Sequence, residues 1–120
     1  MAGQIFPPQL RQPMNPDVLV VLCTCPDEAT AERIARDLVG SRLAACVNRV
    51  SGVRSTYRWD AAVQDEPEVL LIVKTTQPRY ADLEMRVKAL HPYEVPEIIA
   101  LPAAACASAY LAWLARETAP

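Results

Sequence analysis

Hydrophobic and polar positions along this chain follow two rhythms. Asp17 to Cys23, read as DVLVVLC, is an unbroken apolar and β-branched run bounded by Pro16 and Pro26, and it predicts a buried strand. The spacing then changes. Ala31, Ile34, Ala35 and Leu38 recur at helical intervals, with Glu28, Glu32, Arg33 and Arg36 elsewhere on the wheel. Thr24 or Cys25 can cap that helix, Pro26 suits its first turn, and Gly40-Ser41 supplies the stop. An extended stretch from about Ala45 to Trp59 follows, interrupted at Ser51-Gly52, where a glycine points to a bulge. Asp60 to Glu66 carries turn-compatible residues before a third strand, Glu68 to Thr75, and the two strands predict an antiparallel hairpin.

A second helix is expected to start near Pro78 and to bury Tyr80, Leu83, Val87 and Leu90. It must stop near His91, because a residue preceding proline disfavours helical geometry. His91-Pro92-Tyr93-Glu94-Val95-Pro96 reads as an ordered loop, Glu97 to Leu101 as a short fourth strand, and about Ala104 to Glu117 as a last helix burying Tyr110, Leu111 and Leu114. This order predicts an α+β fold, a ferredoxin-like βαββαβ sandwich with an additional C-terminal helix. Residues 17–120 are read as one domain, preceded by a flexible tail at 1–16 that holds four prolines and one basic residue, Arg11.

Such a sheet carries helices on one face only, so its strands should alternate apolar and polar if the other face met water. Val18 to Leu22 and Val69 to Val73 show no such alternation. Both faces want burial. The monomer's helices suffice for one, and the second face is expected to meet another subunit unless the extra helix or the long hairpin folds back over it.

Composition narrows the function classes. The chain of 120 residues is 52% hydrophobic and 22% charged, a globular balance, with a net charge of −2 and no basic cluster, which argues against nucleic-acid binding. The strands also lack the aromatic and basic residues that stack RNA bases. No apolar run approaches the about 20 residues a membrane span needs, and the N-terminus lacks the features of a secretory signal. Four sparse cysteines, Cys23, Cys25, Cys46 and Cys106, suit reduced thiols in a cytoplasm rather than a disulfide scaffold, and their spacing is not that of a zinc ribbon.

Several separate motifs resemble the CutA divalent-cation tolerance family. They are Val21-Leu22-Cys23-Thr24-Cys25-Pro26-Asp27, Leu43-Ala44-Ala45-Cys46-Val47-Asn48, Tyr57-Arg58-Trp59, Glu68 with Leu71 and Lys74-Thr75-Thr76, and His91-Pro92-Tyr93-Glu94-Val95-Pro96-Glu97-Ile98. The resemblance spans about residues 17–117 and implies a ferredoxin-like subunit in a tight homotrimer, a link to tolerance of divalent cations, notably copper, and architectural similarity to the PII signalling proteins. The family pattern continues after the tryptophan with an acidic residue, Gly and Lys, where this chain has Asp60-Ala61-Ala62-Val63. A second histidine that some members carry is Leu90 here.

His91 is the only histidine, and a neutral imidazole suits copper or zinc. Cys23 and Cys25 offer thiolates, which suit monovalent copper. The resemblance places copper at the positions of Cys23 and His91. A second role is open to each: Cys23 as a small buried apolar residue, His91 as a helix-end residue bonding carbonyls. Lys74, Tyr93, Glu94 and Glu97 are candidates for a ligand cleft between subunits, with Glu97 or Glu68 as the expected partner of Lys74. Tyr57 and Trp59 are candidates for intersubunit anchors. Cys46 and Cys106 are assigned to packing. No cofactor is required, with copper or another divalent cation as the conceivable ligand. Three functions compete: a metal-responsive trimer, a PII-like small-molecule sensor, and a small enzyme. Acylphosphatases share the fold but need a glycine-rich anion loop with an arginine. Gly3, Gly40 and Gly52 do not cluster, and no nucleophile–base–orienter set can be named. The chain is therefore expected not to be an enzyme.

Overall fold

The computed structural model describes residues 17–120, so the expected tail at 1–16 lies outside the described residues. Strand β1 (Val18–Cys25) leads to helix α1 (Glu28–Gly40), the long strands β2 (Cys46–Trp59) and β3 (Ala62–Thr76), a 3-10 turn at Gln77–Arg79, helix α2 (Tyr80–Leu90), strand β4 (Ile99–Pro102) and helix α3 (Ser108–Glu117). The four strands form one antiparallel sheet in the order β2-β3-β1-β4, the ferredoxin-like arrangement.

Alternation within the strands decides where the core lies. Leu19, Val21, Cys23 and Cys25 of β1 and Val69, Leu71 and Val73 of β3 point to the helical face and pack against Ala31, Ile34 and Leu38 of α1 and Leu83 and Val87 of α2. A bidentate ion pair, Arg86 to Asp37 at 2.7 and 2.8 Å, joins the two helices at the rim of that core.

The opposite face is apolar as well. Registers Val20↔Leu101, Leu22↔Ile99, Leu22↔Ile72 and Asn48↔Ile72 place these side chains together. Ile99 and Leu101 are about half exposed, at 51% and 47%. Helix α3 reaches only one end of the face, where the Thr118 and Thr76 hydroxyls lie 3.3 Å apart and Thr76 stands opposite Val18. Its C-terminus is tied down by Arg42, whose guanidinium donates to the carbonyls of Arg116 and Ala119. The extra helix therefore does not close the second face.

Local chemistry moved several boundaries. Helix α1 is capped by Asp27, not by Thr24 or Cys25: the Asp27 carboxylate accepts from the Thr30 N–H at 2.8 Å, while β1 stays in its ladder through Cys25 opposite Val69. The expected loop at Asp60 to Glu66 shrinks to the two residues Asp60 and Ala61, both at positive φ (51° and 63°), the geometry of a two-residue hairpin turn. Val63 to Glu66 join β3 instead, held by cross-strand bonds from Arg54 and Thr56 to Asp65 and from Tyr57 to Glu66. The bulge expected at Ser51-Gly52 is present: the β2–β3 register shifts between Val50 and Val53, with Gly52 at φ 81°. Strand β4 and helix α3 start later than expected, at Ile99 and Ser108, and Tyr110 is exposed rather than buried. Among the described residues, no helix is long and apolar enough to cross a membrane.

Candidate functional site

Two groups of chemically capable side chains meet near one end of the sheet. The first is buried. Cys23 and Cys25 are two residues apart on β1, so the strand's period of two aims both thiols at the helical core. The stop of α2 brings His91 against them, and the donor atoms of Cys23, Cys25 and His91 lie within 4.8 Å of one another. All three residues are buried, at 1%, 0% and 7% exposure. Cys23 and His91 were legible as a pair, and Cys25 completes the group. Its place two residues along an apolar strand was the available signal.

Each member is already engaged. The Tyr93 N–H donates to His91 Nδ1 at 3.1 Å, which fixes the neutral tautomer, and His91 Nε2–H donates to the Thr24 carbonyl at 2.8 Å. The His91 and Tyr93 rings stack at a tilt, their centroids 4.6 Å apart. The close approach of the two thiols, together with burial, pushes the Cys23 thiol up, and the same proximity pulls Cys25 down. Two sulfurs and an imidazole are a soft donor set, matched to monovalent copper and to zinc. All four cysteines are free thiols.

The second group lines a cavity of about 640 Å³ beside the first. Tyr57 and Trp59, expected as subunit anchors, form part of its wall, as do Tyr93, Glu94 and Glu97 from the loop after α2 and Glu68 from β3. The bulge at Gly52 makes this possible. It pairs Val53 with Glu68 where Val50 pairs with Leu70, so the odd-numbered Val53, Tyr57 and Trp59 share the face of the even-numbered Asn48 and Val50. The Tyr93 hydroxyl donates to Glu68 Oε2 at 2.6 Å, and burial, followed by that bond, raises the Tyr93 phenol. Lys74, expected beside Tyr93 and Glu97, is not part of this wall. It stands opposite Cys46 and Val20 on the open face and donates to the Asn48 side chain rather than to Glu97 or Glu68, because the strand register puts Asn48 within its reach. Cys46 and Cys106 are half-buried.

The chain matches the model of the family described as CutA1 divalent ion tolerance protein over residues 19–117. It is similar to the divalent-cation tolerance protein CutA of Thermus thermophilus, at 54% identity over 99 residues that cover 82% of this chain and 96% of that one. The protein of the same name from Pectobacterium atrosepticum is 41% identical over 98 residues, 82% of this chain and 89% of the other. Among solved structures, the divalent cation tolerance protein of Thermus thermophilus superimposes with a TM-score of 0.83 at 53% identity, covering 85% of this chain and 99% of its own. Sequence motifs, sheet order and these likenesses agree, and this chain belongs to the CutA1 divalent ion tolerance family.

Proposed function

We propose that this protein acts in tolerance of divalent metal ions as a non-enzymatic, cytoplasmic homotrimer that binds copper through Cys23, Cys25 and His91. The observation that carries the reading is the convergence of two thiols and one imidazole, all buried, within 4.8 Å of one another. That donor set fits copper chemically, and the names of the relatives point to metal tolerance. Both ring nitrogens of His91 are hydrogen-bonded, so a metal bond at either one takes the place of the Thr24 or the Tyr93 contact. Bound copper would draw the thiols into their thiolate form, releasing protons. The trimer is supported by the apolar open face around Leu22, Ile72, Ile99 and Leu101, which α3 leaves uncovered. Reduced, unpaired cysteines suit a cytoplasmic setting.

The test is an anaerobic copper(I) titration, repeated with zinc, of the wild type beside Cys23→Ala, Cys25→Ala and His91→Ala. Loss of the tight site in the two cysteine variants is the expected result. Retention of wild-type affinity in all three, or binding no tighter than to an unrelated protein with a surface histidine, overturns the reading.

A further inference from the structure

The cavity beside the thiol pocket has a chemistry of its own. Three carboxylates line it, Glu68, Glu94 and Glu97, together with three aromatic rings, Tyr57, Trp59 and Tyr93. No lysine or arginine lines it, and among the described residues none of these glutamates joins a salt bridge. Glu68 is the most telling member. It is more than nine-tenths buried, at 8% exposure, and its bond to the neutral Tyr93 hydroxyl leaves its charge without a cationic partner. Burying a carboxylate this way is costly unless a positive group compensates it. Electron-rich ring faces beside carboxylates favour the same occupant, since an ammonium or guanidinium is attracted to both.

Size and spacing exclude the simpler alternatives. A volume of about 640 Å³ falls in the range of small-molecule pockets. Among the described residues, the one group of three histidine, cysteine or acidic donors that converges closely enough for a metal ion is Cys23, Cys25 and His91. The cavity's carboxylates are too dispersed to grip a bare ion. An anionic ligand such as a nucleotide would meet three like charges, with Lys74 outside the wall. We infer that this cavity binds a small organic cation carrying ammonium or guanidinium groups, held by Glu68, Glu94 and Glu97 and stacked against Tyr57, Trp59 or Tyr93. This site is separate from the thiol pocket, and it stands or falls without any metal there.

The experiment titrates the intact wild-type protein, in whatever assembly it forms and with a chelator present, with spermidine, agmatine and tetramethylammonium, and with ATP as the anionic control. Heat and Trp59 fluorescence are the readouts, with Trp59→Phe identifying the ring that responds. At least one cation is expected to saturate, with affinity at least tenfold weaker in the Glu94→Gln/Glu97→Gln double variant. Both of those residues are exposed, so the fold is not at risk. Glu68→Gln is expected to weaken binding further. A flat titration with all three cations, as when a neighbouring copy of the chain fills the space, overturns the inference. So does equal affinity in the double variant, or preferential binding of ATP.

Discussion

His91 and Thr24, 67 residues apart in the chain, are joined by a hydrogen bond of 2.8 Å from the imidazole Nε2–H to the Thr24 carbonyl. That bond ties the loop after α2 to β1 at the carbonyl between the two cysteines. With Tyr93 donating to the other ring nitrogen, one imidazole joins the buried thiol cluster to the loop that supplies Tyr93, Glu94 and Glu97 to the cavity wall.

Removing this ring should therefore cost stability before any metal is considered. His91→Ala leaves the Tyr93 N–H and the Thr24 carbonyl without their partner, a loss of about 1–3 kcal/mol. Urea unfolding of the metal-free protein measures it. A midpoint equal to that of the wild type would mean that water satisfies both groups.

The ion pair between Asp37 and Arg86 gives stability a defined pH dependence. The Arg86 hydrogen bond holds the Asp37 carboxyl below its usual value of 3.8. A carboxyl whose folded value is depressed stabilises the fold above its unfolded value, and that contribution is lost as pH falls through the folded one. Asp37→Asn should thus be less stable than the wild type at pH 7, and the difference should begin to shrink as pH falls below about 4 and vanish only below the depressed folded value. A gap that persists in acid would assign the effect to packing. Thermal melts across that range decide.

The hairpin tip offers a gain. Ala61 sits at φ 63°, where an L side chain costs roughly 1–2 kcal/mol. Ala61→Gly relieves that strain at the price of a more flexible unfolded chain, for a net stabilisation of about 1 kcal/mol. The urea midpoint should rise without a change in slope.

Assembly can be probed on the open face. Leu101→Asp places a charge among Val20, Ile99 and their neighbours, whereas Met85→Asp alters a residue of α2 that is 69% exposed. Sedimentation should find the Leu101 variant dissociated and the Met85 variant like the wild type. If both sediment alike, that face is not the interface.

Much of this architecture was legible because it is local. The run from Val18 to Cys23 could only be a strand, Pro92 had to end α2, and Gly52 marked its bulge. The two-faced burial of β1 and β3 could be read from missing alternation. What escaped depended on pairing between distant segments. Asp60 to Glu66 looked like a loop because the cross-strand partners of Asp65 and Glu66, which are Arg54, Thr56 and Tyr57, lie nine to eleven residues away. Lys74 was assigned a carboxylate partner because charge complementarity is visible in a sequence, whereas the register that gives it Asn48 is not. Cys25 was seen as a thiol but was not joined to His91 and Cys23, since that requires knowing how α2 ends against β1.

The single extra residue at the β2 bulge has a consequence for how this family can diverge. Because strand side chains alternate, a one-residue deletion at Ser51-Gly52 would work like a frameshift in space. Tyr57 and Trp59 would swap sides with Thr56 and Arg58, and two aromatic walls would give way to a hydroxyl and a guanidinium. The deletion of one codon, with no substitution in the pocket itself, could turn an acidic aromatic cage into a surface of mixed charge. Ligand preference in such a protein can then change in one step while the folded core stays untouched.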